Sequence, residues 1–417
     1  MNRYYKLISD SHRSTLSQSG IFCFLVVSTL SNIVTTELSY SFIVQARVVF
    51  LCAFMALAII CFIFSPQKVF AVFLTLLGFL LVIYSAIHSV ITVSHLVWVG
   101  AYIVDTLLIL SLLLLLGSSS GAILPVSAAK FFVGYAVLVI VFTFLCGGFL
   151  MALPPKLNLE YASSLIGRVE DYSLLWSGFF GYSAIAATFL LAGKHRFMYV
   201  LLVLLLVVLF LVMCFMGGGR GETVIALMMV VALVFYYQPL STCFVVLPGS
   251  LLLLYSLDIS AILENMVIFQ RLSNIAAGDM SYRDVLFFQG INLLSDEWNC
   301  LLGGCGVGYF QDYYSYEMSM FPHNFIVEML IVFGLPVSMI LLLAAIFGLM
   351  AHWKRFGWQD MFVLFFIYSM LIAMKSGSLF GSWLFFCSIL YFSGSSFYRV
   401  LTFWINKPQS NRAGGVA

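Results

Sequence analysis

The chain has 417 residues, of which 63% are hydrophobic and 9% are charged, and its formal net charge is +2. Soluble domains carry about 25% charged residues, so this composition excludes a soluble globular protein. So small a net charge also excludes a strongly basic nucleic-acid-binding surface. The sequence therefore predicts an integral membrane protein that contacts the lipid bilayer and no nucleic acid.

Apolar segments recur along the chain and predict about twelve membrane spans, since roughly 17–25 apolar residues cross a bilayer. They are centred near Val26, Met55, Phe79, Leu107, Ile140, Ala184, Leu205, Met228, Leu251, Leu341, Phe366 and Phe386. The first span follows a polar leader that lacks a small-residue cleavage site, so we expect it to remain uncleaved. The predicted fold class is all-α, a polytopic membrane helix bundle.

The placement of Lys and Arg predicts the orientation, because cytoplasmic segments are enriched in both. Most of them fall on one side of the predicted bundle: Arg3, Lys6, Arg13, Lys68, Lys130, Lys194, Arg196, Lys354, Arg355, Arg399, Lys407 and Arg412. The other side holds Arg47, Lys156, Arg168, Arg220, Arg271, Arg283 and Lys375. We therefore predict spans 1–9 in residues 1–257, a long extracytoplasmic loop in 258–322, spans 10–12 in 323–400 and a tail in 401–417, with both termini cytoplasmic.

A glycine-rich turn, GGGRGE (217–222), precedes the eighth predicted span. Arg220 in this turn has two interpretations. It is either an interfacial arginine at a helix end, or one part of an anion site formed with main-chain N–H groups at the start of the span. Glu222 is positioned either to neutralise Arg220 or to hold its guanidinium in place.

The predicted loop 258–322 is far longer than any other connection, and such loops usually carry function or structure of their own. We expect short amphipathic helices within it, because Arg283, Phe287, Gly290 and Leu294 share one helical face. The simpler interpretation is an external cap on the bundle. Acidic residues outnumber its two bases, Arg271 and Arg283. An anion site there must therefore be local and built from individual arginines.

Cysteine placement argues against a metal centre. The nine cysteines are scattered, and only Cys300 and Cys305 fall in the long loop. That pair forms either a disulfide, which an extracytoplasmic compartment permits, or two packed thiols. No Cys/His spacing and no external acidic or histidine cluster has a metal-ligand pattern. We therefore expect neither a metal ion nor a cofactor.

The segment FPHNFIVEMLIVFG (321–334) places polar residues where the tenth predicted span begins. An isolated histidine such as His323 is more often structural than catalytic. Asn324 is a plausible N-cap, and Pro322 constrains the entry of the chain. Glu328 lies inside the apolar run, so it must be paired or line a wet cavity, and Asp105 raises the same question.

Together these segments resemble those of the bacterial O-antigen polymerase and O-antigen ligase superfamily. GGGRGE is similar to the family's Gly-x-Arg-Gly element, and SYRDVLFFQGINLL followed by GCGVGYF is similar to its Ser/Gly-x-Arg helix and Gly-x-Gly turn. FPHNFIVEMLIVFG is similar to its Pro-His-Asn…Glu…Gly element. The resemblance covers the region from residue 200 to 345. Val332 stands where many members carry a second acid, and Arg168 is the sole arginine of the earlier external loop.

The resemblance implies a glycosyltransferase of the bacterial inner membrane whose active site faces the periplasm. The expected donor is an oligosaccharide on undecaprenyl diphosphate, and a chain-length regulator and a flippase of the same pathway are expected partners. His323, Arg220 and Arg283 are the expected catalytic residues, with His323 as general base and the arginines on the diphosphate. Arg220, Arg283, Arg271, Asn324, Glu328, Tyr309 and Tyr313 are expected to bind substrate. The alternative for the tyrosines is an aromatic belt at the membrane surface.

Three functions compete. The PHNFIVEML form favours a polymerase, which extends a lipid-linked glycan, over a ligase, which transfers the glycan to lipid A-core. A transporter such as a glycan flippase predicts polar groups at the membrane midplane and paired halves. Here the polar residues concentrate near one predicted face instead, which argues against transport. The resemblance therefore implies a metal-independent O-antigen polymerase.

Overall fold

The computed structural model describes residues 40–92, 97–119, 124, 126–145, 149–150, 156–157, 174–192, 197–238, 283–317, 320–379 and 382–405. Within them the chain is helical apart from one antiparallel pairing of β1 (Phe149–Leu150) with β2 (Lys156–Leu157). The helices of the first half are α1 (Tyr40–Phe64), α2 (Lys68–Thr92), α3 (Val97–Ser118), α4 (Val126–Leu145), α5 (Leu174–Phe189), α6 (Phe197–Met216) and α7 (Arg220–Tyr237). Those of the second half are α8 (Arg283–Asp296), α9 (Trp298–Gly303), α10 (Tyr309–Tyr313), α11 (Phe325–Phe356), α12 (Met361–Ser376) and α13 (Trp383–Ile405), with a 3₁₀ turn at Gly357–Gln359.

The predicted spans coincide with these helices, except for the spans centred at Val26 and Leu251, which lie outside the described residues. Five helices of the described part are long and apolar enough to cross a membrane: Lys68–Ile91, Val126–Leu145, Phe197–Met216, Phe325–Gln359 and Trp383–Phe403. Shorter apolar helices occur at Cys52–Phe64, Thr106–Ser118, Gly221–Tyr237 and Met361–Lys375. The structure therefore shows a helical protein with helices that could cross a membrane, and the total of about twelve spans stays a prediction.

Helix α6 shows why such helices need both a protein core and lipid. It buries Val200, Val203, Val207, Phe210 and Cys214, a stripe with the three-to-four spacing of one helical face. Its other faces remain apolar but exposed, at residues such as Leu202 and Leu205. A helix that is apolar on all sides can satisfy its outer face only in hydrocarbon. This pattern is typical of a membrane bundle.

At one end of the bundle, hydrogen bonds link the connections α1–α2, α3–α4 and α11–α12. We call it the opposite end, because it lies away from the segments that contain Arg220 and His323. Ser65 Oγ donates to the Ser118 carbonyl at 2.8 Å. Asp360 Oδ1 accepts the Leu124 N–H at 2.9 Å and also caps α12, while its Oδ2 bonds His352 Nε2 at 3.0 Å. These bonds tie the α1–α2, α3–α4 and α11–α12 connections together.

Helix α11 differs from the continuous tenth span expected from the sequence. Gly334 has φ 77° and ψ 165°, which interrupts the helix, and Pro336 has no N–H to continue it. Ser338 Oγ donates to the Met329 carbonyl at 2.9 Å although nine residues separate them. In a straight helix those residues stand about 13 Å apart along the axis. The chain therefore bends sharply between a short segment, Phe325–Phe333, and the long remainder of α11.

A disulfide-bonded turn fills this break. Cys300 and Cys305 form a disulfide, which settles the choice that the sequence left open. The N–H of Cys305 donates to the Ile331 carbonyl at 2.7 Å, and that of Gly306 donates to the Val332 carbonyl at 3.2 Å. In a continuous helix the Val332 carbonyl would accept a hydrogen bond from the N–H of residue 336, which proline lacks. The turn thus supplies the donors that the broken helix lacks, as buried irregular backbone requires.

The same turn also contacts α2. The Tyr84 hydroxyl donates to the Gly303 carbonyl, and Ser89 Oγ donates to the Val307 carbonyl at 2.9 Å. Residues 300–308, which we call the disulfide turn, therefore lie between the last turns of α2 and the break in α11. The last helix, α13, continues to Ile405, past the predicted start of the tail at residue 401.

Candidate functional site

Helix α8 lies where a short helix was predicted within residues 258–322. It buries Leu286, Gly290, Leu293 and Leu294, whereas Arg283, its first residue, is partly exposed. The buried stripe is therefore rotated from the predicted one toward Leu286 and Leu293. A Cβ at Gly290 would lie 2.7 Å from Val327 Cγ1 and 3.1 Å from Pro322 Cβ. Helix α8 thus lies directly against the segment that contains His323.

The GGGRGE turn is held by α5 and α12. Ser177 Oγ accepts the Gly219 N–H at 2.9 Å and donates to the Cys214 carbonyl at 2.9 Å. The Tyr368 hydroxyl donates to the Glu222 carbonyl at 3.1 Å. Arg220 is the first residue of α7, and its side chain lies outside the described part of the structure. The main chain that carries Arg220 is therefore fixed on both sides.

The side chain of Glu222 pairs with a residue that sequence reasoning did not assign to the site. Lys375 Nζ lies 3.3 Å from Glu222 Oε2 and 3.4 Å from Oε1. Lys375 is in the last turn of α12, and its aliphatic stem covers Gly221. The sequence predicted Lys375 on the same face as Arg220 and His323, and that shared face was the one signal that pointed to it.

His323 has an unusual main-chain conformation. Its φ is 53°, in the left-handed region that residues other than glycine adopt uncommonly. Its ring lies against Phe321, with 4.2 Å between the centroids, and its Nδ1 atom is buried. Sparsely populated main-chain conformations that persist are concentrated at functional sites. The conformation of His323 therefore strengthens its candidacy.

Asn324 is the N-cap of α11, as predicted. Its Oδ1 accepts the N–H groups of Ile326 and Val327 at 3.0 Å and 3.2 Å. Its Nδ2 donates to the Met374 carbonyl at 3.1 Å. One side chain therefore both starts α11 and attaches it to the last turn of α12.

Glu328 is buried and has a main-chain partner. Its Oε2 accepts the Leu379 N–H at 2.8 Å, in the connection between α12 and α13. This contact meets the expectation that an acid in an apolar run is paired. Glu328 thus holds the segment around His323 against the next connection.

The four tyrosines between residues 309 and 316 fall into two groups. Tyr314 and Tyr316 donate hydrogen bonds to Gln289, to its carbonyl and to its Oε1 respectively, both at 3.0 Å, so they hold α8 in place. Tyr313 is exposed and its ring lies 6.0 Å from that of Tyr309. Burial, followed by the charge of Glu297, raises the pKa of Tyr309 above its usual value.

Some predicted residues are not described. Arg271 and Arg168 lie outside the described residues, and so does the side chain of Asp105 in α3. Within the part of the chain that the structure describes, no three His, Cys, Asp or Glu side chains are grouped so as to hold a metal ion.

Two of the three family-like segments meet on consecutive residues of α12. Met374 accepts the hydrogen bond of Asn324, beside His323, and Lys375 pairs with Glu222, two residues after Arg220. Helix α8 packs against Pro322 and completes the set. We call this end of the bundle the site end. The contacts therefore place these polar segments together at one end of a helical bundle whose helices could cross a membrane.

Neither the protein-family models nor the curated proteins searched match this chain.

Proposed function

We propose that the protein is an O-antigen polymerase, a glycosyltransferase that joins lipid-linked glycans at the periplasmic face of the bacterial inner membrane. Its donor is a glycan on undecaprenyl diphosphate, and its acceptor is a sugar hydroxyl of another lipid-linked repeat unit. The observation that supports this proposal is the meeting of the three family-like segments at the last turn of α12 and the face of α8.

The chemistry assigns one role to each segment. The acceptor oxygen attacks the anomeric carbon, the bond from that carbon to the phosphate oxygen breaks, and undecaprenyl diphosphate leaves with the electron pair. His323 accepts the hydroxyl proton, through Nε2 because Nδ1 is buried. Arg220 and Arg283 stabilise the negative charge that develops on the diphosphate. Tyr309 and Tyr313 contact the sugars.

The deciding experiment is single-turnover transfer with purified protein and lipid-linked donor, at several pH values. His323→Ala should lower the rate by a factor of roughly 10²–10⁴, the usual contribution of a general base. The residual rate should rise with pH, because solvent hydroxide replaces the missing imidazole.

His352→Ala is the matched control. It removes a histidine that is bonded to Asp360 at the opposite end, so it should lower stability and leave the rate of the folded protein unchanged. A near-wild-type rate for His323→Ala would end the assignment of His323 as the base.

A polymerase and a ligase differ in their acceptor, so the glycans that accumulate in deletion cells distinguish the two. Cells that lack a polymerase should carry single repeat units on their surface, whereas cells that lack a ligase should retain polymerised chains on undecaprenyl diphosphate. Polymerised, lipid-linked chains in deletion cells would replace the polymerase proposal with the ligase.

A further inference from the structure

The last turn of α12 contacts the two predicted halves of the reaction site through adjacent residues. The Met374 carbonyl is bonded to Asn324, which follows His323. Lys375 is bonded to Glu222, in the turn that carries Arg220. Because one helical turn is rigid over this distance, it fixes the spacing of the two segments.

The Glu222–Lys375 pair is built into the protein rather than placed on its surface. The Glu222 side chain is 4% exposed and that of Lys375 is 30% exposed. A carboxylate buried this deeply requires a charged or hydrogen-bonding partner. The Lys375 side chain passes directly over Gly221, so a Cβ at residue 221 would force that side chain to move. Lys375 is therefore packed against the turn as well as paired with Glu222.

The ion pair adds no net charge to the site. Its ammonium group faces both oxygens of Glu222. A pair that is neutral overall attracts a diphosphate only weakly. The same pair can hold α7 and α12 in a defined position relative to each other. The geometry therefore favours a structural link between helices over direct ligation of the donor.

We propose that Lys375 is a positioning residue that, through Glu222, sets the Arg220 turn at its working distance from His323. This inference rests on the proposed function for its catalytic consequence and on the described contacts for its geometry. A misplacement of about 1 Å in a reaction site can lower a rate by about 100-fold. Loss of the pair should therefore lower the maximal rate more than it weakens donor binding.

A double-mutant cycle tests the catalytic part, with Lys375→Met, Glu222→Gln and both together, in single-turnover transfer at several donor concentrations. Each single variant should lower the maximal rate about 10- to 100-fold with a smaller change in half-saturating donor. The double variant should be no slower than the slower single variant, because both changes break the same link. Lys354→Met, an exposed lysine at the opposite end, is the control and should match the wild type.

Two results would overturn the catalytic part. If Lys375→Met slows transfer further in the Glu222→Gln background and raises the half-saturating donor concentration, Lys375 binds the donor directly. If all variants transfer glycan at the wild-type rate, the pair does not position the site.

A distance measurement tests the geometric part independently of activity. Spin labels at Val224 on α7 and at Met320 before Pro322, which are 43% and 37% exposed, report the separation of the two segments. Lys375→Met should shift or broaden the distance distribution measured by double electron–electron resonance, and Lys354→Met should not. An unchanged distribution in Lys375→Met would overturn the proposal, whether or not the wild type transfers glycan. A wild type that transfers no glycan, with a shifted distribution, would reject the proposed function and keep the positioning role.

Discussion

Asn324, Glu328 and Tyr368 each connect two parts of the bundle through a hydrogen bond to the main chain. Such bonds satisfy the polar atoms of both partners and fix the position of the main chain rather than of another side chain. The side chains proposed to contact substrate, Arg283, His323 and Tyr313, are instead partly or fully exposed. The site end therefore combines a rigid support with accessible groups.

At the residue scale, the arginines give the sharpest prediction. Arg220→Lys and Arg283→Lys should each lower polymer formation at least about 10-fold, because lysine cannot reproduce the bidentate contact of a guanidinium group with a diphosphate. Surface polymer is measured on gels of whole cells, and membrane abundance is measured from a tag on the protein.

Arg355→Lys is the control for these changes, since Arg355 is exposed near the end of α11 and its guanidinium lies 5.0 Å from the Phe356 ring. It should leave the polymer unchanged. Near-normal polymer from both site variants would show that Arg220 and Arg283 are interfacial anchors.

At the element scale, the break in α11 predicts an order of stabilities among three glycine variants. Gly334→Ala suffers a left-handed φ of 77° and overlap with the disulfide turn, because its Cβ would lie 2.7 Å from the Gly304 nitrogen. Gly357→Ala suffers a φ of 58° but meets no atom within 4 Å, so it should lose about 1–2 kcal/mol of stability. Gly178→Ala, in α5, meets neither problem and should gain about 1 kcal/mol.

Thermal midpoints of the purified variants in detergent measure this order. The midpoint should be highest for Gly178→Ala, lower for Gly357→Ala and lowest for Gly334→Ala. Equal midpoints for the last two variants would mean that the disulfide turn is not packed against the break.

The helices could be predicted from the sequence, because long apolar runs specify spans whatever their neighbours are. Asn324 as a cap and the helix α8 were also predictable, since both depend on local pattern, although the buried face of α8 differs from the predicted one. The break in α11 was not, because glycine and proline also occur in continuous, kinked spans. It depends on donors from Cys305 and Gly306, which come from another part of the chain.

Lys375 escaped prediction for a related reason. A lone lysine at the end of a span has the pattern of an interfacial anchor. Only its packing on Gly221 and its pairing with Glu222 distinguish it. The disulfide likewise needed the turn itself, which brings the Cα atoms of Cys300 and Cys305 to 4.9 Å.

At the scale of the whole molecule, basic residues separate toward the two ends. The basic residues that the sequence assigned to the cytoplasm and that lie in described helices are Lys68, Lys130, Lys354, Arg355 and Arg399. Each lies in the half of its helix that is nearer the opposite end. Because cytoplasmic segments are enriched in Lys and Arg, this distribution predicts that the opposite end faces the cytoplasm and the site end the periplasm.

Labelling with an impermeant maleimide tests this orientation in spheroplasts. The background keeps Cys300 and Cys305 and lacks the other cysteines, and it carries a single new cysteine at Ser295 or at Gln67, both exposed. Ser295→Cys should label in intact spheroplasts, and Gln67→Cys should label only after permeabilisation. The reverse pattern would invert the predicted orientation.

The position of the disulfide turn between α2 and α11 also has a consequence for the order of assembly. Ser89 is synthesised early and Val332 late, yet the turn that lies between them in sequence bonds to both. Before α11 is inserted, the turn lacks the carbonyls that accept its N–H groups. Before the turn packs against α11, those carbonyls have no donor, because lipid cannot donate a hydrogen bond. The disulfide itself closes only in an oxidising compartment. We therefore expect the disulfide turn and α11 to reach their final positions together, late in assembly.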